Sequence, residues 1–311
     1  MASGMFRVHT SIPALLGATL VLSACVSTPP GAPRGLPDVA GAGAQILYVA
    51  GDIADCRRHA ALQSPAAATA ALIEQRLARD PQAQVLTLGD NAYVVASEAE
   101  LRDCYAPTWG RFLQRTWAAA GNHEYYSKDA LPYYAYFGAQ AGPAGLGYYR
   151  KTFKGWQLYA LNSNLKGEAM QRQLDWLRQE IQQNPARCSL AYWHHPRYSS
   201  GGHGNDQRMQ QAWQILQDAG AELVLAGHDH DYERFAPQDA NGNARPDGIA
   251  QFVVGTGGTR LSSFLLQRPH SQAAFNDAHG VLQLVLRENG YDWQFLTTDG
   301  ALRDIGSRAC H

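Results

Sequence analysis

The 311-residue sequence contains no block of basic residues, and its formal net charge is −1. A surface without clustered Lys and Arg offers little to a polyanion, which excludes nucleic acid as a partner. No repeat at solenoid spacing is present. The apolar run from Ile12 to Leu22 is too short to cross a bilayer as a helix. Charged residues make up 17% and hydrophobic ones 45%, a globular balance that excludes a disordered chain and a membrane-spanning bundle. Cysteine is scarce, at five residues.

What is present begins with a leader. Arg7 precedes the apolar run, which has the length of a signal-peptide core. The run ends in Leu22-Ser23-Ala24-Cys25, which resembles a bacterial lipobox. Residues 1–24 are then a lipoprotein signal peptide with Cys25 lipidated, an ordinary secretory signal being the alternative. Both imply export, to the periplasm or to an outer-membrane anchor, with the lipid as the only membrane attachment. Residues 25–44, rich in Pro, Gly and Ala, predict a flexible tether, and residues 45–311 a single folded domain. Cys56, Cys104, Cys188 and Cys310 remain, an even number that suggests two disulfides in an oxidising compartment. Three pairings are possible; Cys56–Cys104 with Cys188–Cys310 is favoured, the second pinning the C-terminal tail.

Apolar runs at Gln45–Ala50, Gln84–Leu88, Thr116–Ala120, Ser189–Trp193, Leu223–Leu225 and Phe252–Val254 predict strands. Helical spacing predicts helices over Pro65–Arg79, Gly167–Gln183 and Gln207–Ala219, and a kinked one over Ser97–Leu113. Hairpins are expected at Tyr148–Asn162 and Val281–Leu296. This alternation predicts an α/β fold, in which ligands sit beyond the carboxyl ends of the strands. Five strand ends carry polar clusters, and they bring forward Asp52, Asp90, Tyr93, Asn122, His194, His228 and His230. His228 and His230 lie two apart and can face one site. The set is all oxygen and nitrogen, without thiolate, which suits two cations such as iron, zinc or manganese.

These residues sit in Asp52-Ile53-Ala54, Gly89-Asp90-Asn91-Ala92-Tyr93, Gly121-Asn122-His123-Glu124, Ala191-Tyr192-Trp193-His194 and Gly227-His228-Asp229-His230. In that order they resemble the signature of the purple acid phosphatase-like branch of the binuclear metallophosphoesterases, over roughly residues 45–311. The resemblance implies a four-layer αββα sandwich, two mixed β-sheets flanked by helices, with residues 45–311 as the catalytic domain. It implies that Asp90 bridges two metals, with Asp52, Tyr93 and His230 completing the first site and Asn122, His194 and His228 the second. Fe(III) is expected at the Tyr93 site and Fe(II), Zn or Mn at the other. Two positions depart from the signature, Ala54 in place of Gly and Ala191 in place of Val, and neither removes a ligand.

The implied activity is hydrolysis of small phosphate monoesters by a metal-bound hydroxide, with His123 as proton donor to the leaving group and His203 as a phosphate contact. For His123 the plainer alternative is a residue that orients a ligand, and for His203 an exposed loop residue. His195, next to His194, is expected to line the substrate pocket. Asp229, Asp231 and Glu233 read as supporting or surface carboxylates, and Tyr232 and Arg234 as packing residues. A phosphodiesterase using the same centre is one alternative, and an exported metal-binding protein without activity is another. The oligomeric state is not written in the sequence.

Overall fold

The computed structural model describes residues 1, 2, 4 and 35–311. Cys25 and the apolar run of the leader lie outside the described residues, as does the tether up to residue 34. No helix among the described residues is long and apolar enough to cross a membrane.

Among the described residues thirteen strands form two mixed sheets. In the first, parallel β1 (Gln45–Ala50), β2 (Gln84–Leu88) and β3 (Thr116–Ala119) continue antiparallel into three C-terminal strands. Those are β11 (Gly280–Arg287), β12 (Gly290–Thr297) and β13 (Leu302–Ala309). The second sheet joins β4 (Tyr149–Phe153), β5 (Trp156–Ala160), β6 (Ser189–Tyr192) and β7 (Leu223–Ala226) to β9 (Ile249–Val254), β8 (Tyr232–Gln238) and β10 (Ser271–Phe275). Strands β5, β6, β7 and β9 run parallel.

Alternation along the second sheet explains the layering. Leu190, Tyr192, Leu223 and Leu225 share one core with Leu47, Val49, Leu282 and Leu284 of the first sheet. Ala191, Trp193 and Val224, one residue out of phase, bury against Leu174 and Leu177 of the helix Gly167–Gln183 and Trp213 and Leu216 of the helix Gln210–Asp218. The helix Pro65–Leu77, capped by Ser64, lays Ala66, Ala70, Ile73 and Leu77 into the first core. Strands buried on both faces read as unbroken apolar runs, which is why the sequence announces them. The expected two-sheet sandwich with outer helices is what forms.

Four expectations change. The segment Ser97–Leu113 is not one kinked helix: it breaks into a turn at Glu98–Glu100, a wide turn at Leu101–Tyr105 and a tight helix at Trp109–Arg115. Strand β13 extends the terminal hairpin, while β8 and β10 were not expected at all. Residues 35–44, expected to belong to the tether, are held down on the domain. Leu36 N–H donates to Gln294 Oε1 at 2.7 Å, Gln283 Nε2 to the Pro37 carbonyl at 2.8 Å, and Ala40 N–H to Asp80 Oδ2 at 3.0 Å. Pro and Gly exclude regular structure there without excluding attachment. Finally, Asp229, Asp231 and Glu233 are all buried, so none is a surface carboxylate.

The disulfides join Cys56 to Cys104 and Cys188 to Cys310. The second closes 122 residues, and beside it His311 N–H donates to Glu222 Oε1. Cross-linking so long a loop restricts the unfolded chain strongly. The double variant Cys188→Ser, Cys310→Ser is expected to lose about 2–5 kcal/mol in denaturant unfolding; an unchanged midpoint would show that the bridge contributes nothing.

Candidate metal centre

Parallel β1, β2 and β3 end along one edge, and β6 and β7 end opposite them. Gly51 N–H donates to the Val254 carbonyl across the two edges (2.8 Å), and within each edge Asp52 N–H donates to the Gly89 carbonyl (3.0 Å) and Gly227 N–H to the His194 carbonyl (3.0 Å). The chain must turn sharply at each end while pointing a donor inward. Asp52, Asp90 and His228 do so with left-handed φ of 59°, 51° and 72°. L-residues avoid that region at a cost of roughly 1 kcal/mol or more each, and such strain gathers at functional sites. Gly121 is required for a different reason: a Cβ there would stand 2.1 Å from Asp90 Oδ1. Ala54 avoids a left-handed φ and bridges Ala92, so the missing glycine leaves this turn intact.

Every expected donor arrives at one place. Tyr93 Oη lies 2.9 Å from Asp52 Oδ1, 3.2 Å from Asp90 Oδ2 and 3.3 Å from His230 Nε2. On the other side of Asp90, His194 Nε2 lies 3.3 Å from Asp90 Oδ2, 3.0 Å from Asn122 Oδ1 and 3.2 Å from His228 Nδ1. Two groups therefore share Asp90. Tautomers sharpen this. A carbonyl only accepts, so His194 Nδ1 donates to Leu88 O (2.8 Å) and His230 Nδ1 donates to Arg260 O (2.9 Å). In the neutral rings both Nε2 atoms then aim lone pairs at oxygen lone pairs. Lone pairs facing one another across 3.0–3.4 Å call for positive charge between them. The donor set fits a pair of cations.

Without that charge the centre draws protons instead. Burial opposes ionisation of His194, yet Asp90 prevails and carries its pKa up to about 9. Burial would raise Asp90, but His194 and His123 hold it below the ordinary carboxylate range. Burial, then Asp52 and Asp90, push the Tyr93 phenol well above 10, so its proton must leave for the oxygen to bind a cation as phenolate.

Other titratable side chains surround these donors. Asp55, three residues after Asp52 in the chain, is engaged by Arg57 at 2.6 and 2.8 Å, outside the group. His195 comes close to His194 and His228, but its Nδ1 meets Ser163 Oγ at 2.7 Å and its Nε2 meets Arg208 Nη1 at 3.0 Å. Both nitrogens are spent, so it lines the pocket without joining the donors. His123 sits beside Asp90, its Nε2 3.6 Å from Oδ2. His203 lies over His228 with ring centroids 4.0 Å apart and pairs with Asp229 at 2.9 Å. That hydrogen bond raises the His203 pKa against the opposing effect of burial. Asp231 accepts no hydrogen bond among the described residues, and burial with Asp229 and Glu233 carries it up to about 9. Tyr232 and Arg234 both bind Asp304, tying β8 to β13.

Sequence reasoning missed Glu124. It is buried, and its two oxygens accept from the N–H groups of Asp90, Asn91 and Gly121 and from Asn91 Nδ2. Burial and Asp90 push its carboxyl up to about 7, while the N–H groups of Gly121 and Asn91 pull it back. It locks two strand ends together. Its place after Asn122-His123 was the available signal.

The model of the calcineurin-like phosphoesterase family matches residues 38–232, and the chain belongs to that family. Among curated proteins, it is 26% identical to purple acid phosphatase 15 of Arabidopsis thaliana over 52% of this chain and 35% of that protein. It is 26% identical to purple acid phosphatase 21 of the same plant over 63% and 51%. The chain thus spans about half or less of these relatives. A purple acid phosphatase from yellow lupin (Lupinus luteus) seeds shares the fold with a TM-score of 0.67 at 18% identity, over 88% of this chain and 55% of that one. So does GAP50, the anchor in the inner membrane complex of Plasmodium, with a TM-score of 0.67 at 12% identity, over 86% and 89%.

Exchanging Glu124 for Gln puts an NH2 where an N–H already points. Glu124→Gln is expected to lower stability by about 1–3 kcal/mol, measured by denaturant unfolding. Wild-type stability in that variant would refute the locking role.

Proposed function

We propose that this chain hydrolyses phosphate monoesters at a dinuclear metal centre of the purple acid phosphatase type. The observation that carries the reading is the meeting of six further nitrogen and oxygen donor residues around Asp90, the whole set coming from five strand ends, with the ring protons of His194 and His230 turned away onto carbonyls. Asp52, Tyr93 and His230 would hold one metal, Asn122, His194 and His228 the other, and Asp90 both. Phenolate and carboxylates favour Fe(III) at the first, and the histidine-rich second suits Fe(II), Zn or Mn. When bound, such a pair supplies Lewis acidity, lowering the pKa of water and drawing charge from the phosphoryl oxygens.

The chain's own groups do the rest. Asn122, held by Tyr126, presents its amide oxygen inward at the mouth of a cavity of about 530 Å³. His203, whose hydrogen bond to Asp229 raises its pKa, can offer positive charge to a phosphoryl oxygen. His123 donates its Nδ1 proton to the Val94 carbonyl, which leaves Nε2 facing the cavity. Protonated there, it can pass a proton to the departing alkoxide. The same proposal places the domain outside the cytoplasm, on a lipid anchor at Cys25. Two disulfides support that, since they persist in oxidising compartments.

An alkoxide needs a proton to leave and a nitrophenolate does not. His123→Asn is therefore expected to slow an alkyl phosphate by about 100-fold or more and 4-nitrophenyl phosphate far less. Equal losses on both would remove His123 from the proton transfer. Faster turnover of bis(4-nitrophenyl) phosphate than of 4-nitrophenyl phosphate would replace the monoesterase with a diesterase.

A further inference from the structure

Beyond the donors, the 530 Å³ cavity has a wall of a different character. It is lined by Asn164, Lys166 and Arg208, and the one carboxylate among its lining residues is Asp90. Arg208 is held in place although it is exposed. Its Nε lies 2.8 Å from Asp206 Oδ2, and its Nη1 donates to His195 Nε2 at 3.0 Å. Nη2 makes no hydrogen bond among the described residues.

The His195 contact fixes a tautomer. A guanidinium only donates, so Nε2 must carry the lone pair and Nδ1 the proton, which goes to Ser163 Oγ at 2.7 Å. Ser163 is itself tied to the His195 main-chain N–H at 3.2 Å. A buried imidazole held from behind by a serine is thus spent entirely on aiming an arginine. A guanidinium with its direction fixed and Nη2 left unengaged loses little entropy on meeting a carboxylate or phosphate.

Lys166 adds to the same wall. It occupies the N-cap of the 17-residue helix Gly167–Gln183, where no side chain caps the first turn, so the positive end of the helix starts at this residue. Arg57, at the other mouth of the centre, has both Nε and Nη2 engaged by Asp55, whereas Asp206 takes only the Nε of Arg208.

We infer that Arg208 and Lys166 form a subsite for a second anionic group of the substrate, apart from the scissile phosphate, and that His195 is the positioning residue for Arg208. The inference rests on the phosphomonoesterase reading and narrows it. The preferred substrates are phosphate esters whose alcohol carries a carboxylate or a further phosphate.

The test compares glycerol 3-phosphate with 3-phosphoglycerate, which differ by a carboxylate in place of a hydroxymethyl group, with 4-nitrophenyl phosphate as reference. Fructose 1,6-bisphosphate against fructose 6-phosphate distinguishes a phosphate from a carboxylate as the second anion. The wild type should favour the more anionic member by about fivefold or more in kcat/KM, less so at high salt. In Arg208→Gln that ratio should fall toward one. His195→Phe should lower it likewise, and His195→Gln, whose amide oxygen can accept from the guanidinium, should retain it. A ratio near one in the wild type, or one unchanged by Arg208→Gln, overturns the subsite while turnover of 4-nitrophenyl phosphate leaves the underlying reading standing. Hydrolysis of none of these esters overturns both.

Discussion

Asp90 is a buried carboxylate shared by two clusters of lone pairs, and the geometry of the centre follows from keeping it there. One oxygen accepts from the His123 N–H at 2.9 Å, and the other faces Tyr93 Oη and His194 Nε2. An ionised group so deep in a protein is tolerable only with compensating charge. Protons on His194 supply it in part, and two cations would supply it in full. The donors are arranged for the second solution, since backbone carbonyls have taken the outward ring protons of His194 and His230.

Holding donors in this way strains the surroundings. Three inward-pointing residues adopt left-handed backbone, a glycine is needed where a Cβ would strike Asp90, and Glu124 stays buried to bind the main chain of two loops. The two sheets compensate with strands buried on both faces and with helices outside. The donors stand on the segments that follow five strand ends, whereas the pocket wall of Asn164, Lys166 and Arg208 comes from other loops and a helix start. That division separates what the chemistry requires from what the substrate requires.

The donor set was legible in the sequence because metal chemistry admits few residue types and parallel strands admit few places for them. The buried strands were legible as apolar runs. Strand β13, half-exposed and rich in Arg, Asp and Ser, carries no such signal, and β10 is a short edge strand of alternating exposure. In β8 the register shifts between Phe235 and Gln238, around Pro237, which disguises its period. Glu124, Ser163 and Arg208 escaped notice for another reason. Each works through partners distant in the chain, and a contact between Arg208 and His195 has no local pattern. Residues 35–44 read as tether because composition reports the absence of regular structure and not the absence of attachment.

The central claim is that Asp90 holds two metal ions jointly. Elemental analysis of the purified protein, alongside Asp90→Asn, addresses it directly. Two metal ions per chain in the wild type and the loss of both in Asp90→Asn are predicted. One ion or none in the wild type, or two retained in the variant, would contradict the account.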